Sequence, residues 1–144
     1  MRSSDGAPLM LIDHDAFRRE PSVWTDLPGD EGLILWSLRR MVVAWPRCHT
    51  VQVALHVRYG DEGLAIEHLL RCWLLGLSNH ARRRLVIGDP NCAMLLADEG
   101  VLLFVLRSAT PEGAAGQALI DLTGNPCAAC LLPLAQSLAF TAQL

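Results

Sequence analysis

Between Asp61 and Ser108 the chain reads as two long apolar segments joined by a basic turn, and this hairpin constrains every fold open to it. The first segment runs through Leu69-Leu70-Arg71-Cys72-Trp73-Leu74-Leu75, the turn is Arg82-Arg83-Arg84, and the second segment runs from Leu95 to Leu106. Leu69, Leu70, Trp73, Leu74 and Leu77 make one helical face, and Ile66, Cys72 and Leu75 widen it until the segment is apolar nearly all round. Such a helix needs cover, in a core or at an interface. We expect a helix over about 62–80, with the rest of the chain packed around the hairpin. Gly76 lies inside it and permits close approach by a neighbour, at about 1 kcal/mol of helix propensity relative to Ala.

The other elements follow from punctuation. Asp89-Pro90 reads as an N-cap followed by proline in the first helical position, which predicts a helix over about 90–107. Thr110-Pro111-Glu112-Gly113 breaks it, and Leu85-Val86-Ile87 before it reads as an extended connection. A first helix is expected over 31–45, capped by Asp30 and stopped by Pro46. Leu35, Leu38, Val42 and Trp45 form its stripe, with Ile34 and Met41 alongside. Residues 47–59 are ambiguous. Val51, Val53, Leu55 and Val57 alternate as in a strand, yet Val51, Leu55 and Arg58 also satisfy a helix. A helix is preferred, because a lone strand of that length has no partner in the pattern. A weaker helix is expected over 112–123, and a last one over 127–143 after Gly124-Asn125-Pro126. Residues 1–30 are rich in Asp, Pro, Gly and Ser and read as an irregular segment. In it, Leu9-Met10-Leu11-Ile12 would dock on the body and Trp24 would anchor it. The expected fold is all-α: one compact helical domain over 31–144, a bundle of five or six helices.

Composition narrows the function classes. Apolar residues make up 51% of 144 residues, enough for a core without metal or disulfides. The net charge of -3 is mild and recruits neither nucleic acid nor acidic lipid. All 12 basic residues are arginine, which points to a GC-rich, bacterial coding sequence. Residues 122–144 carry no charge over 23 positions, but Gly124, Asn125, Pro126, Pro133 and Gln136 interrupt them. A membrane span needs about 20 predominantly apolar residues, so no membrane insertion is expected. Five cysteines at irregular spacing, behind an N-terminus with no apolar leader, suit a reduced cytoplasmic setting. No cofactor is implied.

Few residues carry chemistry. Asp98 and Glu99 stand in an apolar helix, where a buried carboxylate needs a partner. They are either solvated, paired with an arginine, or an acid/base group. Adjacent helical residues diverge by about 100°, so the two share neither a proton nor a metal easily. Cys92 falls at the third position of the expected Asp89-capped helix, where the dipole favours a thiolate. A thiol enzyme there would take His80 or His68 as its base. Cys127-Ala128-Ala129-Cys130 is a single C-x-x-C without the βαβ unit of a redox fold. A zinc reading would add Cys48 and His49, and two packing cysteines are the plainer one. Arg82-Arg83-Arg84 fits a solvated turn after a helix C-terminus. His14 between Asp13 and Asp15 fits a polar segment. No phosphate loop, H-E-x-x-H or G-x-S-x-G is present.

Leu38-Arg39-Arg40-Met41, then Pro90-x-Cys92 and Asp98-Glu99, resembles small bacterial helical proteins of an uncharacterised domain family, over about residues 33–106. The resemblance implies no activity. The leading expectation is a non-enzymatic interaction or structural protein that self-associates, as a homodimer or with a protein partner, because its apolar surface is large. The alternatives are a metal or thiol-redox protein on Cys127, Cys130 and Cys48, and a thiol enzyme centred on Cys92. One structural expectation is sharp: Asp98 or Glu99 pairs with Arg39 or Arg40, since neither side is hidden cheaply alone.

Overall fold

In the computed structural model, residues 10–13, 27–45, 47–109 and 113–144 are described. Trp24, His14 with Asp15, Pro46 and the break at 110–112 lie outside these residues.

The chain is all-α. Helices α1 (Glu31–Val43), α2 (His49–Tyr59), α3 (Glu62–His80), α4 (Ala97–Arg107), α5 (Ala115–Thr123) and α6 (Leu132–Ala142) carry it, and a 3-10 helix (Pro126–Leu131) leads into α6. A small parallel ladder is added to them. Strand β1 (Met10–Asp13) pairs with β2 (Leu85–Gly88) in the register Met10–Leu85 through Asp13–Gly88. Residues 10–12 of the expected apolar run therefore dock on the body, through the backbone of the segment read as a connection, and Leu9 lies outside the described residues. A parallel pair needs a long crossover, and α1, α2 and α3 supply it.

Helix α3 has the bounds its periodicity predicts, and Ile66, Leu70, Trp73, Leu74 and Leu77 are fully buried. Around it pack α2, α6 and the 3-10 helix. Two glycines on α3 set how close they come. A side chain at Gly63 would meet the Leu55 carbonyl of α2 at 2.7 Å, and one at Gly76 would meet the Leu131 side chain of the 3-10 helix at 2.6 Å. Residues 49–59 form a helix, as preferred. The strand-like alternation there has a simple cause: Val51 and Leu55 are buried, while Val53 and Val57 point outward.

Two expected caps are corrected. Asp30 precedes α1, but its carboxylate makes no cap. It takes the Arg58 guanidinium instead, at 3.0 and 2.7 Å. The Asp89-Pro90 signal opens a turn rather than a helix. The Asn91 N–H donates to the Asp89 carboxylate at 2.9 Å, and the Cys92 N–H to the Asp89 carbonyl at 2.9 Å. Helix α4 starts only at Ala97. A helix through 92–94 would spend the Cys92 and Met94 carbonyls on its own ladder, and the Arg39 guanidinium claims both.

Gly63→Ala should destabilise the fold by about 1–3 kcal/mol, because backbone has to move. Gly76→Ala should cost much less, since a leucine end can swing and the helix gains about 1 kcal/mol of propensity. Urea unfolding of both variants checks the order, and a Gly76 variant less stable than the Gly63 variant contradicts it. A second test uses the only tyrosine in the chain. Burial first, then the Asp30 carboxylate, push the Tyr59 hydroxyl up to about 12. That hydroxyl donates to the Ala142 carbonyl at 3.2 Å, joining α2 to α6. Because the folded value is raised, the stabilisation is complete below the unfolded value near 10 and is lost as pH rises through the folded one. Ultraviolet titration of the phenolate should show a midpoint near 12 that falls to about 10 in denaturant; a native midpoint near 10 would contradict the buried setting of the hydroxyl beside Asp30.

Candidate functional site

The side chains with chemical potential gather around two places, a buried ion pair at the foot of β2 and a thiol cluster at the far end of α3.

At the first place Arg39 of α1 meets Glu99 of α4. The Arg39 Nε donates to Glu99 Oε2 at 2.7 Å and Nη2 to Oε1 at 2.7 Å, with the two residues 1% and 0% exposed. The remaining directions of the fork reach the Cys92 carbonyl at 2.6 Å and the Met94 carbonyl at 2.5 Å. The Glu99 carboxylate also accepts the Gly88 N–H at 2.8 Å and the Leu96 N–H at 2.9 Å. The last bond caps α4 from its third position. The expected pairing of the two side chains is thus present, and the partners are Arg39 and Glu99. Their charges are matched and their bonds are made by protein, so Glu99 is not free for acid/base work.

Asp98 takes a different arginine. Its carboxylate accepts Arg83 at 2.8 Å and the Val86 N–H at 2.7 Å. Successive N–H groups of a strand alternate between its edges, so Val86 and Gly88 lie on one edge of β2. The adjacent carboxylates of α4 close that edge, as a further strand would. Arg40 lies over the Trp36 ring at 5.3 Å.

Cys92 is corrected most. It sits in the turn before α4, not at a helix N-terminus, and is buried with Leu96, Val86 and Met94 around it. Its thiol faces the Met94 carbonyl at 3.6 Å. Neither expected base faces it: His68 Nε2 lies 3.6 Å from Cys72 Sγ, and His80 Nε2 lies 3.5 Å from Cys130 Sγ. A Cys92 thiol centre with His80, Asp98 or Glu99 is therefore not assembled.

Cys48, buried before α2, lies across an open groove of about 560 Å³ from Asp89, Pro90 and Asn91, beside Arg40. Burial pushes its thiol up, but the Val51 and Thr50 backbone and the Arg40 guanidinium outweigh that and hold it below its ordinary value. His49 next to it is exposed. Among the described residues no group of three or more His, Cys, Asp or Glu side chains is arranged to hold a metal. The four-ligand set of Cys48, His49, Cys127 and Cys130 is not formed.

The second place was half visible in the sequence, as the Cys127-x-x-Cys130 pair without its histidine. Cys127 and Cys130 are exposed on the 3-10 helix, whose first residue follows the Asn125 cap. The Asn125 side chain accepts the Cys127 N–H at 2.9 Å and donates to the His80 carbonyl at 3.0 Å, docking this turn on the end of α3. The signal available beforehand was the Cys127-x-x-Cys130 spacing after Gly124-Asn125-Pro126. Nothing in the spacing tied His80 to it. Comparison with known proteins adds no further constraint: no family model, curated protein or solved structure matches the chain.

Removing one member of a buried pair typically costs about 3–5 kcal/mol, and Arg39→Ala and Glu99→Ala should each do so. Asp98→Ala and Arg40→Ala should cost about 1–2 kcal/mol or less, from one exposed ion pair with one backbone bond and from one ring contact. An apolar double replacement, Arg39→Met with Glu99→Leu, should stay destabilised by several kcal/mol, because it orphans the Gly88 and Leu96 amides and two carbonyls at about 1–3 kcal/mol each. Chemical unfolding of the five variants is the check; a double variant as stable as the parent would show that the backbone bonds contribute nothing.

Proposed function

We propose that the protein is a non-enzymatic interaction protein that self-associates, with a second copy of the chain as the occupant of its apolar end. The observation that carries this reading is the trio Val57, Leu64 and Phe140, exposed at 80%, 70% and 86%. They stand on the last turn of α2, the first turn of α3 and the last turns of α6. These ends are held together: Tyr59 bonds Ala142, and Phe140 with Thr141 shares a surface hollow with Glu62 and Ala65. Val53, one turn before Val57, extends the patch along α2.

A second copy suits the charges at this end. His56 and Arg58 close α2, and Asp61 and Glu62 open α3. A two-fold axis through the patch sets His56 of one copy near the Asp61–Glu62 edge of the other, with apolar side chains between, while Arg58 stays with Asp30. Among the described residues no helix is long and apolar enough to cross a membrane, so this patch is not part of a spanning helix.

Sedimentation velocity tests the reading across micromolar to submillimolar concentrations. The parent should dimerise, and Leu64→Asp and Phe140→Asp should each leave a folded monomer, since both positions are exposed. A parent that stays monomeric over the whole range, or a dimer that both substitutions leave intact, overturns the proposal.

A further inference from the structure

We propose that Cys127, Cys130 and His80 form a thiol–disulfide exchange site, in which Cys130 attacks a low-molecular-weight disulfide and Cys127 resolves the product into an internal disulfide.

Three observations meet here. The first is helix type. A 3-10 helix has three residues per turn, so side chains at i and i+3 eclipse, and a rise of about 2 Å per residue separates their Cα atoms by about 6 Å. Cys127 and Cys130 hold those positions within Pro126–Leu131. A disulfide bridges Cα atoms about 4.4–6.8 Å apart. The second is access, since both thiols are exposed, whereas Cys48 and Cys92 are buried. The third is the imidazole. His80 Nδ1 lies 2.9 Å from the Gly76 carbonyl, which only accepts, so Nδ1 carries the proton in the neutral ring. The other nitrogen, Nε2, then presents its lone pair to Cys130 Sγ at 3.5 Å. Asn125 fixes the ring's residue from the other side through its carbonyl.

The steps balance. His80 Nε2 accepts the Cys130 thiol proton, and the thiolate attacks one sulfur of RSSR. A Cys130–SR bond forms, the S–S bond of RSSR breaks, and the leaving RS⁻ takes the proton from His80. The Cys127 thiol then gives its proton to solvent, its thiolate attacks Cys130 Sγ, the Cys130–SR bond breaks as the Cys127–Cys130 bond forms, and the leaving RS⁻ takes up a proton from solvent as the second RSH. Two protein thiols are oxidised by two electrons, and one RSSR is reduced to two RSH. The site lies about 24 Å along α3 from Leu64, at 1.5 Å per residue, so it is independent of self-association at the apolar end.

The test uses the full chain, reduced, then exposed to oxidised glutathione and followed by intact mass and peptide mapping. The parent should lose two hydrogens with Cys127 linked to Cys130. Cys127→Ser should instead hold one glutathione on Cys130, and Cys130→Ser should form no internal disulfide at this turn. His80→Gln should slow the exchange about tenfold at neutral pH, with the deficit closing as pH rises above about 8.5, where a free thiol ionises unaided. Circular dichroism on each variant confirms the fold, and exposed Cys→Ser changes leave the core untouched. Separate glutathiones on Cys127 and Cys130, or thiols that stay reduced, overturn the dithiol site. An unchanged rate in His80→Gln overturns the role of the imidazole.

Discussion

The buried Arg39–Glu99 contact is the constraint on which the rest depends. An ion pair taken out of water is costly, and its mutual attraction offsets that only when the remaining hydrogen-bonding directions are met. Here they are met by backbone. Arg39 needs two carbonyls and finds them in the turn at 92–94, while Glu99 needs two amides and finds them at Gly88 and Leu96. Four separate pieces of chain thus converge on one pair: α1, the end of β2, the 89–96 turn and α4. The geometry also explains a glycine. A side chain at Gly88 would lie 3.0 Å from the guanidinium and would require the hydrogen-bonded arginine to give by a few tenths of an ångström. Secondary ties follow the same plan at lower stakes. Glu31 of α1 accepts Arg107 at the other end of α4 at 3.0 Å, so the two helices are clamped at both ends.

This account explains what the sequence revealed and what it concealed. The helices of strong apolar period were legible, α3 to the residue, because Leu70, Trp73, Leu74 and Leu77 repeat without competition. The pair itself was legible because two charges in apolar helices demand partners. Its consequence was not. Asp89-Pro90 carries local capping chemistry, but a helix there would consume the carbonyls that Arg39 requires, and the long-range bond outweighs the local preference. Asp30 fails as a cap for a similar reason, since a bidentate arginine 28 residues away takes its carboxylate. The alternation at 51–57 left that segment ambiguous, though a helix was preferred, because outward valines obey surface rather than core requirements. The place of β1 was unreadable beyond its apolar character, as parallel pairing depends on a partner some 75 residues further on.

The functional candidates sort by the same principle. Side chains that the sequence offered as reactive in the centre, Glu99, Asp98 and Cys92, are consumed by structure: one by Arg39, one by Arg83 and the β2 edge, one by burial. Those left with open surface around them lie at the ends of α3. A polar group already satisfied by protein has little free energy to gain from a substrate, whereas an exposed thiol beside an unprotonated nitrogen, or an exposed phenylalanine, still has an interaction to make.

Helix α3 therefore acts as the axle that relates the two surfaces, and its glycines set the spacing. At Gly63 the α2 backbone at Leu55 lies too close to admit a side chain, so the two helices meet backbone to backbone at the α2–α3 corner. At Gly76 the Leu131 side chain fills the space a methyl would take, which draws the 3-10 helix against the last turn of α3. The same Gly76 carbonyl fixes the His80 ring, so one residue both admits the cysteine-bearing turn and orients the base toward it. A methyl at Gly76 displaces only the Leu131 end, and neither cysteine is among the atoms it would meet. The approach of Cys130 to the imidazole is thus a property of helix packing, and only the folded chain brings together residues 50 positions apart.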